Sequence, residues 1–461
     1  MTLIKSISGI RGTIGGAPGE GLTPVDIVKF VSAFATFIRE RGSENRLVFV
    51  AGRDARVSGD MVNRLVCGTL MGMGVDVIDV GLSTTPTVEM KVVSEKADAG
   101  IILTASHNPG QWNALKLLNA NGEFINAEEG ARVLAIAENN EVNFSGVEAL
   151  GVYRVDEHAI KQHIEAILAL PAVDTEAIKA RDFHVVLDCV NSTGGIALPP
   201  LLKALGVDKV TELYCDPTGH FPHNPEPLPE NLGTIASTVK ETKADIGFVV
   251  DPDVDRLAIV MENGKMFGEE YTLVAVADYI LKHHPGNTVS NLSSTGALRD
   301  ITHRAGYDYF ASAVGEVNVV EMMKKVDAVI GGEGNGGVIY PALHYGRDAL
   351  AGIALFLTHL AKENESCSSL REKYPDYYIS KKKIELKPDM DVDGVLKAVE
   401  KEYADHEVIT IDGVKIIRGN EWVHLRKSNT EPIIRIYAES SSPESAEKMA
   451  QEVINKIQTL S

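Results

Sequence analysis

A hydroxyl and an imidazole stand side by side in the stretch 104–109, Thr-Ala-Ser-His-Asn-Pro. The apolar run before it, 100–103, predicts a short buried strand. Open α/β sheets bind their ligands in loops at the carboxyl ends of such strands. Ser106 is therefore a candidate nucleophile with His107 as its catalytic neighbour. Asn-Pro also marks an ordinary turn, and this alternative stays open at the level of the local sequence.

Three aspartates alternate with other residues in one short segment: Asp251, Asp253 and Asp255. A tight or extended segment can direct all three carboxylates to one side, and oxygen ligands in that number suit Mg²⁺ or Ca²⁺. An EF-hand loop would place Glu262 at its twelfth position. It would also need glycine where Arg256 stands, and residues 257–261 are typical of a strand. A solvated acidic turn is the other alternative. The pattern favours one Mg²⁺ ion per chain.

Mg²⁺ usually shares its coordination sphere with a phosphate. A phosphate carried on Ser106 would complete the ligand set, and the Arg256 guanidinium could pair with the same phosphate. A serine oxygen, a cation and a guanidinium are the parts that phosphoryl transfer requires.

Two further loops could bind the rest of a phosphorylated ligand. The stretch 426–432 and a nearby arginine offer hydroxyls, an amide and guanidinium groups for a phosphate that is not transferred. The candidates there are Arg426, Ser428, Asn429, Thr430 and Arg435. A polar hairpin turn is the alternative. Glu333 and Asn335 lie in a glycine-rich loop, 331–337, and could bind sugar hydroxyls.

The elements that must position these loops recur three times. Each copy has a strand, a polar loop, a helix that stops at a glycine and a second strand; the glycines are Gly74, Gly206 and Gly306. The third strand of each copy leads into the serine loop, the aspartate loop or the glycine-rich loop. Three α/β units therefore place polar loops at equivalent strand ends, where we expect them to face one cleft.

The last part of the chain has a different pattern. A polar stretch, 362–366, predicts a linker. A helix at 392–403, strands at 408–411 and 414–417, a strand at 433–437 and a helix from 443 follow. Asp412-Gly413 between two of the strands predicts a hairpin. The expected domains are 1–150, 151–256, 257–366 and 367–461, the last an α+β domain.

Composition limits the class of protein. The chain has 461 residues, 44% of them hydrophobic and 24% charged, with a formal net charge of −19. That acidity argues against binding to nucleic acid or to an anionic membrane surface. The four cysteines show no metal-binding spacing, and there is no apolar run of membrane-spanning length. We expect a cytoplasmic protein with reduced cysteines.

Taken in order, the four loops resemble those of the α-D-phosphohexomutases over essentially the whole chain. The motifs are TASHNP (104–109), DPDVDR (251–256), GEGNGG (332–337) and RKSNTEP (426–432). The resemblance implies that they are the phosphoserine, metal, sugar-binding and phosphate-binding loops. It also implies an α/β fold of three similar α/β domains with mixed sheets, and a C-terminal α+β domain like TATA-binding protein, around a central cleft.

The same resemblance extends to three shorter segments. It places Arg11, in 6–12, at the active site and makes Lys116 the lysine near the phosphoserine. Residues 52–56 are similar to a supporting loop of the family, in which Arg53 and Asp54 could instead form only an ion pair.

The implied reaction moves phosphate between O1 and O6 of a hexose through phospho-Ser106 and a hexose 1,6-bisphosphate, which also serves as activator. The sugar loop has Asn335 and Gly337 where bacterial phosphoglucosamine mutases commonly have Ser and His, and is more similar to an archaeal type. We predict a phosphoglucosamine mutase, with phosphomannomutase or phosphoglucomutase as alternatives. A serine-phosphoenzyme phosphatase and a non-catalytic phosphosugar-binding protein are the rivals. The expected partner is a phosphosugar, and the expected assembly is a monomer or homodimer.

Overall fold

A computed structural model describes residues 2–6, 9–42, 46–385, 391–427 and 433–460. The chain divides into two compact units. The first unit comprises Met1–Thr272 and Gly336–Leu370, and the second comprises Leu273–Asn335 and Arg371–Ser461.

The α-helices within the described residues are α1 (Pro24–Glu40), α2 (Gly59–Gly72), α3 (Thr85–Ser94), α4 (Ala127–Asn139), α5 (Ala159–Leu168), α6 (Thr175–Ala180), α7 (Gly194–Ala204), α8 (Gly233–Thr242), α9 (Glu269–His283), α10 (Ala297–Arg304), α11 (Glu316–Lys325), α12 (Ala349–Glu363), α13 (Cys367–Arg371), α14 (Val392–Glu402) and α15 (Pro443–Leu460). The strands are β1 (Ile4–Ser6), β2 (Gly9–Thr13), β3 (Val48–Arg53), β4 (Asp76–Leu82), β5 (Ala99–Leu103), β6 (Trp112–Leu118), β7 (Tyr153–Val155), β8 (His184–Asp188), β9 (Lys209–Leu213), β10 (Ile246–Val250), β11 (Leu257–Met261), β12 (Asn287–Asn291), β13 (Tyr309–Ser312), β14 (Ala328–Glu333), β15 (Gly337–Ile339), β16 (Tyr378–Glu385), β17 (Glu407–Ile409), β18 (Val414–Arg418), β19 (Glu421–Lys427) and β20 (Ile433–Ser440).

The first sheet has the strand order β1-β2-β6-β5-β3-β4-β7. Strands β5, β3, β4 and β7 are parallel, whereas β6 is antiparallel to β5. All five residues of β5 are buried, as the apolar run predicted. Helix α1 begins with Thr23 as N-cap in a capping box and Pro24 in its first turn. The serine loop leaves the sheet at the carboxyl end of β5.

The second sheet repeats this arrangement with the order β11-β10-β8-β9. Strands β10, β8 and β9 are parallel and β11 is antiparallel to β10, so the aspartate loop joins β10 to β11. In the second unit β13, β12 and β14 are parallel in that order, and β14 ends at Glu333. The threefold recurrence of α/β units with mixed sheets, predicted from the sequence, is confirmed.

The C-terminal sheet is antiparallel, with the order β16-β20-β19-β18-β17. Helices α14 and α15 bury their apolar faces against one side of it. The hairpin at Asp412-Gly413 is confirmed, with Gly413 at a φ of 73°. The sequence prediction overlooked β16 and β19, whose mixed charged and apolar residues give no clean alternation.

The predicted linker at 362–366 is shorter in the structure. Helix α12 continues to Glu363 and ends at Asn364, which adopts the left-handed conformation, and α13 begins at Cys367. The polar residues at 362–363 therefore extend a helix whose other positions are buried. None of the helices in the described part of the chain is both long enough and apolar enough to cross a bilayer. All four cysteines are free thiols in this structure.

Candidate active site

Ser106 sits in a strained backbone conformation directly after β5. Its φ is 49°, in the left-handed region that residues other than glycine seldom occupy. The side chain is 8% exposed, and its Oγ donates a hydrogen bond to Asp251 Oδ2 at 2.8 Å. His107 Nδ1 lies 3.3 Å from the same Oγ. The serine oxygen is therefore held against the aspartate loop.

The shape of the serine loop depends on a buried arginine that the sequence analysis left unassigned. Arg56 is 1% exposed. Its guanidinium donates to four backbone carbonyls of the loop: those of Ser106, Asn108 (2.6 Å), Pro109 (2.7 Å) and Trp112 (3.0 Å). Four charge-assisted hydrogen bonds to one loop give the strained serine conformation its support.

The ion pair in the supporting loop 52–56 forms between other residues than expected. Asp54 accepts from Arg56 Nε at 3.0 Å, whereas Arg53 reaches only the Asp54 backbone carbonyl, at 3.3 Å. Asp54 Oδ2 also accepts from Thr104 Oγ1 at 2.7 Å. The pairing of Arg53 with Asp54 was wrong because the Arg56 side chain turns back into the buried site. The sequence did contain a signal for the observed ion pair, because a second arginine, Arg56, follows Asp54 by two residues.

The three aspartates of the metal loop converge. All are 0% exposed, and one oxygen from each lies within 4.8 Å of the others. Lys116 Nζ, from β6, lies 2.7 Å from Asp253 Oδ2 and 3.7 Å from Asp255 Oδ2. The EF-hand alternative is excluded because residues 257–261 form strand β11 rather than a helix.

Two other residues, Arg347 and Thr85, fix these carboxylates. Arg347 Nη2 donates to Asp255 Oδ2 at 2.6 Å, and Thr85 Oγ1 donates to Asp253 Oδ2 at 2.5 Å. Neither residue was identified from the sequence, because each lies far along the chain from the aspartate that it contacts.

The donor set fits a divalent cation with oxygen ligands. Asp253 Oδ1 and Asp255 Oδ1 are buried and accept no hydrogen bond from the described residues. Burial raises the pKa of Asp251 well above its usual value, and the neighbouring Asp255 and Asp253 carboxylates add to this. Three close carboxylates repel one another, and a cation among them would relieve that repulsion.

Cationic groups gather beside the aspartates. Burial and then the Arg256 charge lower the pKa of Arg11, whose Nη1 lies 3.5 Å from Asn108 Oδ1. Arg256 Nε is buried and has no hydrogen-bond acceptor among the described residues. The Arg256 charge, burial and the Arg11 charge lower the pKa of His107 to about 2, so this imidazole is neutral at pH 7. An acidic protein has thus concentrated positive charge at one place, as binding of a phosphate requires.

The glycine-rich loop belongs to the second unit up to Asn335. Glu333 is 5% exposed at the end of β14. Its Oε1 accepts from Asn291 Nδ2 at 2.8 Å and from the Gly315 backbone N–H at 3.2 Å. The Gly334 N–H donates to Ser294 Oγ at 2.9 Å. The carboxylate is therefore held in one orientation, while Asn335 is half-buried.

The C-terminal sheet of the second unit carries a row of three cations on the face away from α14 and α15. Arg426 and Arg435 are direct partners across β19 and β20, and Lys383 of β16 is the partner of Arg435. Like charges that face each other across strands destabilise a sheet unless an anion lies between them. Three of the predicted phosphate contacts, Ser428, Asn429 and Thr430, fall outside the described residues.

The structure thus assembles the predicted residues in two groups. The group in the first unit consists of Arg11, Ser106, His107, Lys116, Asp251, Asp253, Asp255 and Arg256. The group in the second unit consists of Glu333, Asn335, Arg426 and Arg435. Lys383 joins the second group only in the structure. Its position beside Arg435 follows from the pairing of β16 with β20, and β16 was not predicted from the sequence.

The chain matches four consecutive domain families. Residues 3–143, 161–264 and 268–378 match alpha/beta/alpha domains I, II and III of phosphoglucomutase/phosphomannomutase. Residues 382–456 match the C-terminal domain of phosphoglucomutase/phosphomannomutase.

Individual relatives match over nearly their whole length. A phosphoglucomutase/phosphomannomutase of Thermococcus kodakarensis is 38% identical, over 94% of this chain and 95% of its own. A phosphoglucosamine/phosphogalactosamine mutase of Sulfurisphaera tokodaii is 32% identical, over 100% of this chain and 99% of its own. The crystal structure of a phosphoglucomutase/phosphomannomutase family protein from Burkholderia thailandensis superposes with a TM-score of 0.86 at 25% identity, covering 100% of this chain and 98% of that one.

Proposed function

Because the chain belongs to the phosphoglucomutase/phosphomannomutase family, the α-D-phosphohexomutases, we propose that it transfers phosphate through a phosphoserine at Ser106. As a phosphohexomutase it is an isomerase that acts on phosphosugars. The observation that carries the proposal is the contact between Ser106 Oγ and Asp251 at 2.8 Å. It places a buried hydroxyl among three carboxylates and beside the cationic side chains of Arg11, Lys116, Arg256 and Arg347.

In the proposed cycle phospho-Ser106 donates to a hydroxyl of the bound hexose monophosphate. The bond between Oγ and phosphorus breaks, a bond from the sugar oxygen to phosphorus forms, and the proton of the sugar hydroxyl ends on Ser106 Oγ, which is left as a hydroxyl. The product is a hexose 1,6-bisphosphate. It turns round and returns its other phosphate to Ser106 Oγ, which regenerates the phosphoenzyme. Added bisphosphate would therefore activate enzyme that has lost its phosphate.

Each residue of the first group has a distinct task in this proposal. Arg11 and Arg256 stabilise negative charge on the transferring group, since both are half-buried beside Ser106 and the Arg256 Nε has no hydrogen-bond acceptor among the described residues. Lys116 holds Asp253 in place. His107, a neutral imidazole 3.3 Å from Oγ, orients the serine hydroxyl.

Asp251, Asp253 and Asp255 would hold the Mg²⁺ ion. When bound, Mg²⁺ supplies positive charge that neutralises the transferring phosphoryl oxygens. Arg347 and Thr85 keep the Asp255 and Asp253 carboxylates oriented for this role.

The second group would bind the parts of the substrate that do not react. Arg426 and Arg435 bind the distal phosphate, and the cation row on β16, β20 and β19 supports this because strand register brings three positively charged side chains together on one face of the sheet. Ser428, Asn429 and Thr430 are proposed to join them. Glu333 and Asn335 bind sugar substituents, and the fixed Glu333 carboxylate suits a hydroxyl or an amino group.

The sugar that we propose is glucosamine phosphate, because a carboxylate can pair with an amino group at C2. Relatives of this chain are named for glucosamine, galactosamine, glucose and mannose phosphates, so mannose and glucose phosphates are the alternatives.

A panel of hexose 1-phosphates tests the proposal. The protein is incubated with Mg²⁺ and with glucosamine, glucose or mannose 1-phosphate, and the products are resolved. Formation of 6-phosphates supports a mutase, and the ranking of kcat/KM identifies the sugar. Free phosphate instead would identify a phosphatase, and no turnover with any sugar would identify a binding protein. Intact mass of the protein and of Ser106→Ala tests the phosphoenzyme, since a phosphate adduct that persists in Ser106→Ala contradicts it.

A further inference from the structure

A second cluster of ligating side chains lies in the first unit, apart from the aspartate loop. It is formed by His163 of α5, His344 in the loop before α12, and Asp348, the N-cap of α12. The three side chains are 1%, 9% and 1% exposed. His163 Nε2 and His344 Nε2 approach the same oxygen, Asp348 Oδ2, at 2.9 and 3.2 Å. One ligand atom from each residue lies within 4.8 Å of the others.

The remaining polar atoms of these side chains have partners outside the cluster. His163 Nδ1 lies 2.9 Å from Thr87 Oγ1, and His344 Nδ1 lies 3.4 Å from Glu89 Oε2. Asp348 Oδ1 accepts from the first backbone N–H groups of α12, at 2.8 and 3.1 Å. Histidine ligands of metals usually bond an oxygen through their other nitrogen, as His163 does with Thr87 Oγ1, and this fixes the tautomer and turns the ligating nitrogen inward.

The distances and charges also suit a metal. Two ligands at about 2.0–2.1 Å from a tetrahedral ion lie about 3.3 Å apart, close to the separations of the two imidazole nitrogens from Asp348 Oδ2. Asp348 and Glu89 are both buried carboxylates, each 1% exposed, so their charge needs compensation. A divalent cation among the three ligand atoms would provide it in place of a proton on His344, which lies within ion-pair distance of both carboxylates.

We propose that His163, His344 and Asp348 bind one divalent transition-metal ion of the zinc class. Two imidazoles and one carboxylate select such ions over Mg²⁺, which prefers an all-oxygen set. The ion joins three chain segments that are distant in sequence, and its role is structural.

The cluster is connected to the aspartate loop from two directions. Thr87 lies two residues beyond Thr85, which bonds Asp253, and Arg347, which bonds Asp255, immediately precedes Asp348. The ion would therefore fix both segments that orient the aspartates.

The test measures metal content in the full chain. Because the cluster is enclosed, the ion should be acquired during folding. The protein is expressed with added zinc, dialysed against metal-free buffer and analysed by elemental mass spectrometry. We expect about one equivalent of zinc in the wild type, and a loss of at least tenfold in the double variant His163→Gln, Asp348→Asn. Asparagine at 348 can still cap α12.

Two controls separate this site from others. His184→Gln changes a histidine of the same unit whose ring nitrogen bonds Thr211 Oγ1, and should keep the full equivalent. Asp253→Asn should also keep it, which excludes zinc bound at the aspartate loop. A full equivalent in the double variant would overturn the proposal, as would a wild type without zinc.

Cobalt gives a readout that does not depend on the variants. Wild-type protein refolded with Co²⁺ should show the intense visible absorption of cobalt with nitrogen ligands in low coordination. If the variants fail to fold, the cobalt spectrum of the wild type still tests the proposal. A spectrum of aqueous cobalt alone would contradict a metal site at His163, His344 and Asp348. Neither measurement depends on mutase activity, so the site and the proposed function can fail separately.

Discussion

Arg347 Nη2 donates to Asp255 Oδ2 at 2.6 Å, and the two side chains are 9% and 0% exposed. A buried carboxylate is stable only while paired. Among the described residues, Arg347 is the nearest cationic partner of Asp255, ahead of Lys116 at 3.7 Å and Arg256 at 3.9 Å. The same contact orients Asp255 for binding the cation.

Replacing Arg347 with methionine should destabilise the protein mainly in the absence of Mg²⁺. Without the ion, Asp255 keeps only the longer contacts to Lys116 at 3.7 Å and Arg256 at 3.9 Å among the described residues, and we expect a loss of up to about 3 kcal/mol. With Mg²⁺ bound, the carboxylate regains a cation and the loss should shrink. Thermal unfolding in EDTA and in saturating Mg²⁺ measures the difference. Arg64→Met removes an exposed pair with Asp60 and should show no Mg²⁺ dependence; an equal loss for Arg347→Met in both conditions contradicts this account.

Asp253→Asn should weaken Mg²⁺ binding and activity together. The substitution keeps the shape of the side chain but removes one of the three charges, and leaves Lys116 Nζ without its carboxylate at 2.7 Å. We expect the Mg²⁺ concentration for half-maximal activity to rise at least about tenfold. Kinetics over a Mg²⁺ titration check this. Glu241→Gln, an exposed carboxylate of the same unit, is the control, and an unchanged Mg²⁺ requirement in Asp253→Asn would remove Asp253 from the ligand set.

Local motifs made part of this site predictable. The serine loop and the aspartate loop are each contiguous, so residue type and spacing identified Ser106 and the three aspartates, and recurrence placed both loops at strand ends. Arg347 could not be identified because it lies 92 residues from Asp255. Thr85 could not be identified for the same reason, because it lies 168 residues from Asp253. Contacts of this kind depend on how the α/β units pack, which no local pattern reports.

Arg56→Lys should lower kcat while leaving Mg²⁺ binding largely intact. Lysine keeps the charge beside Asp54 but cannot reach four carbonyls at once, so the serine loop loses the support for its strained conformation. Loss of charge-assisted bonds worth about 1.5–3 kcal/mol corresponds to roughly ten- to 150-fold in rate. Arg53→Lys is the control, since Arg53 bonds only the Asp54 carbonyl among these groups. Equal effects of the two variants on kcat would show that Arg56 has no special role.

His223 should make stability depend on pH. Its Nε2 lies 3.1 Å from Asp188 Oδ2; burial opposes the charged imidazole, but this carboxylate outweighs it and raises the pKa of His223. A raised pKa in the folded state means that the pair stabilises fully below the unfolded value of about 6.5. The stabilisation is lost as the pH rises through the folded value. His223→Gln should therefore lower Tm more at pH 6 than at pH 9. His184→Gln, which removes a histidine bonded to a hydroxyl, should not show that difference, and a larger effect of His223→Gln at pH 9 would reverse the sign we expect.

Arg435→Ala tests the distal-phosphate site. Arg435 faces Arg426 on one side and Lys383 on the other, so its removal relieves repulsion, and Tm should not fall much. A charged contact to phosphate is worth about 1.5–3 kcal/mol, so kcat/KM should drop roughly ten- to 150-fold. The bisphosphate should escape more often, and activity should depend more on added hexose 1,6-bisphosphate. Phosphorylation of Ser106 should stay near the wild-type level because Ser106 belongs to the other unit.

The control for Arg435→Ala is Arg418→Ala, which removes an ion pair with Glu452 from β18 of the same domain. It should lower Tm slightly and leave the bisphosphate dependence unchanged. A purely structural turn at 426–435 predicts the opposite pattern for Arg435→Ala, with a lower Tm and normal kinetics per folded molecule. Inorganic phosphate adds a direct readout, because an anion among three cations should raise the wild-type Tm more than that of Arg435→Ala. Equal phosphate-induced Tm shifts in the two proteins, together with normal kinetics of Arg435→Ala, would contradict the proposal that the cation row binds phosphate.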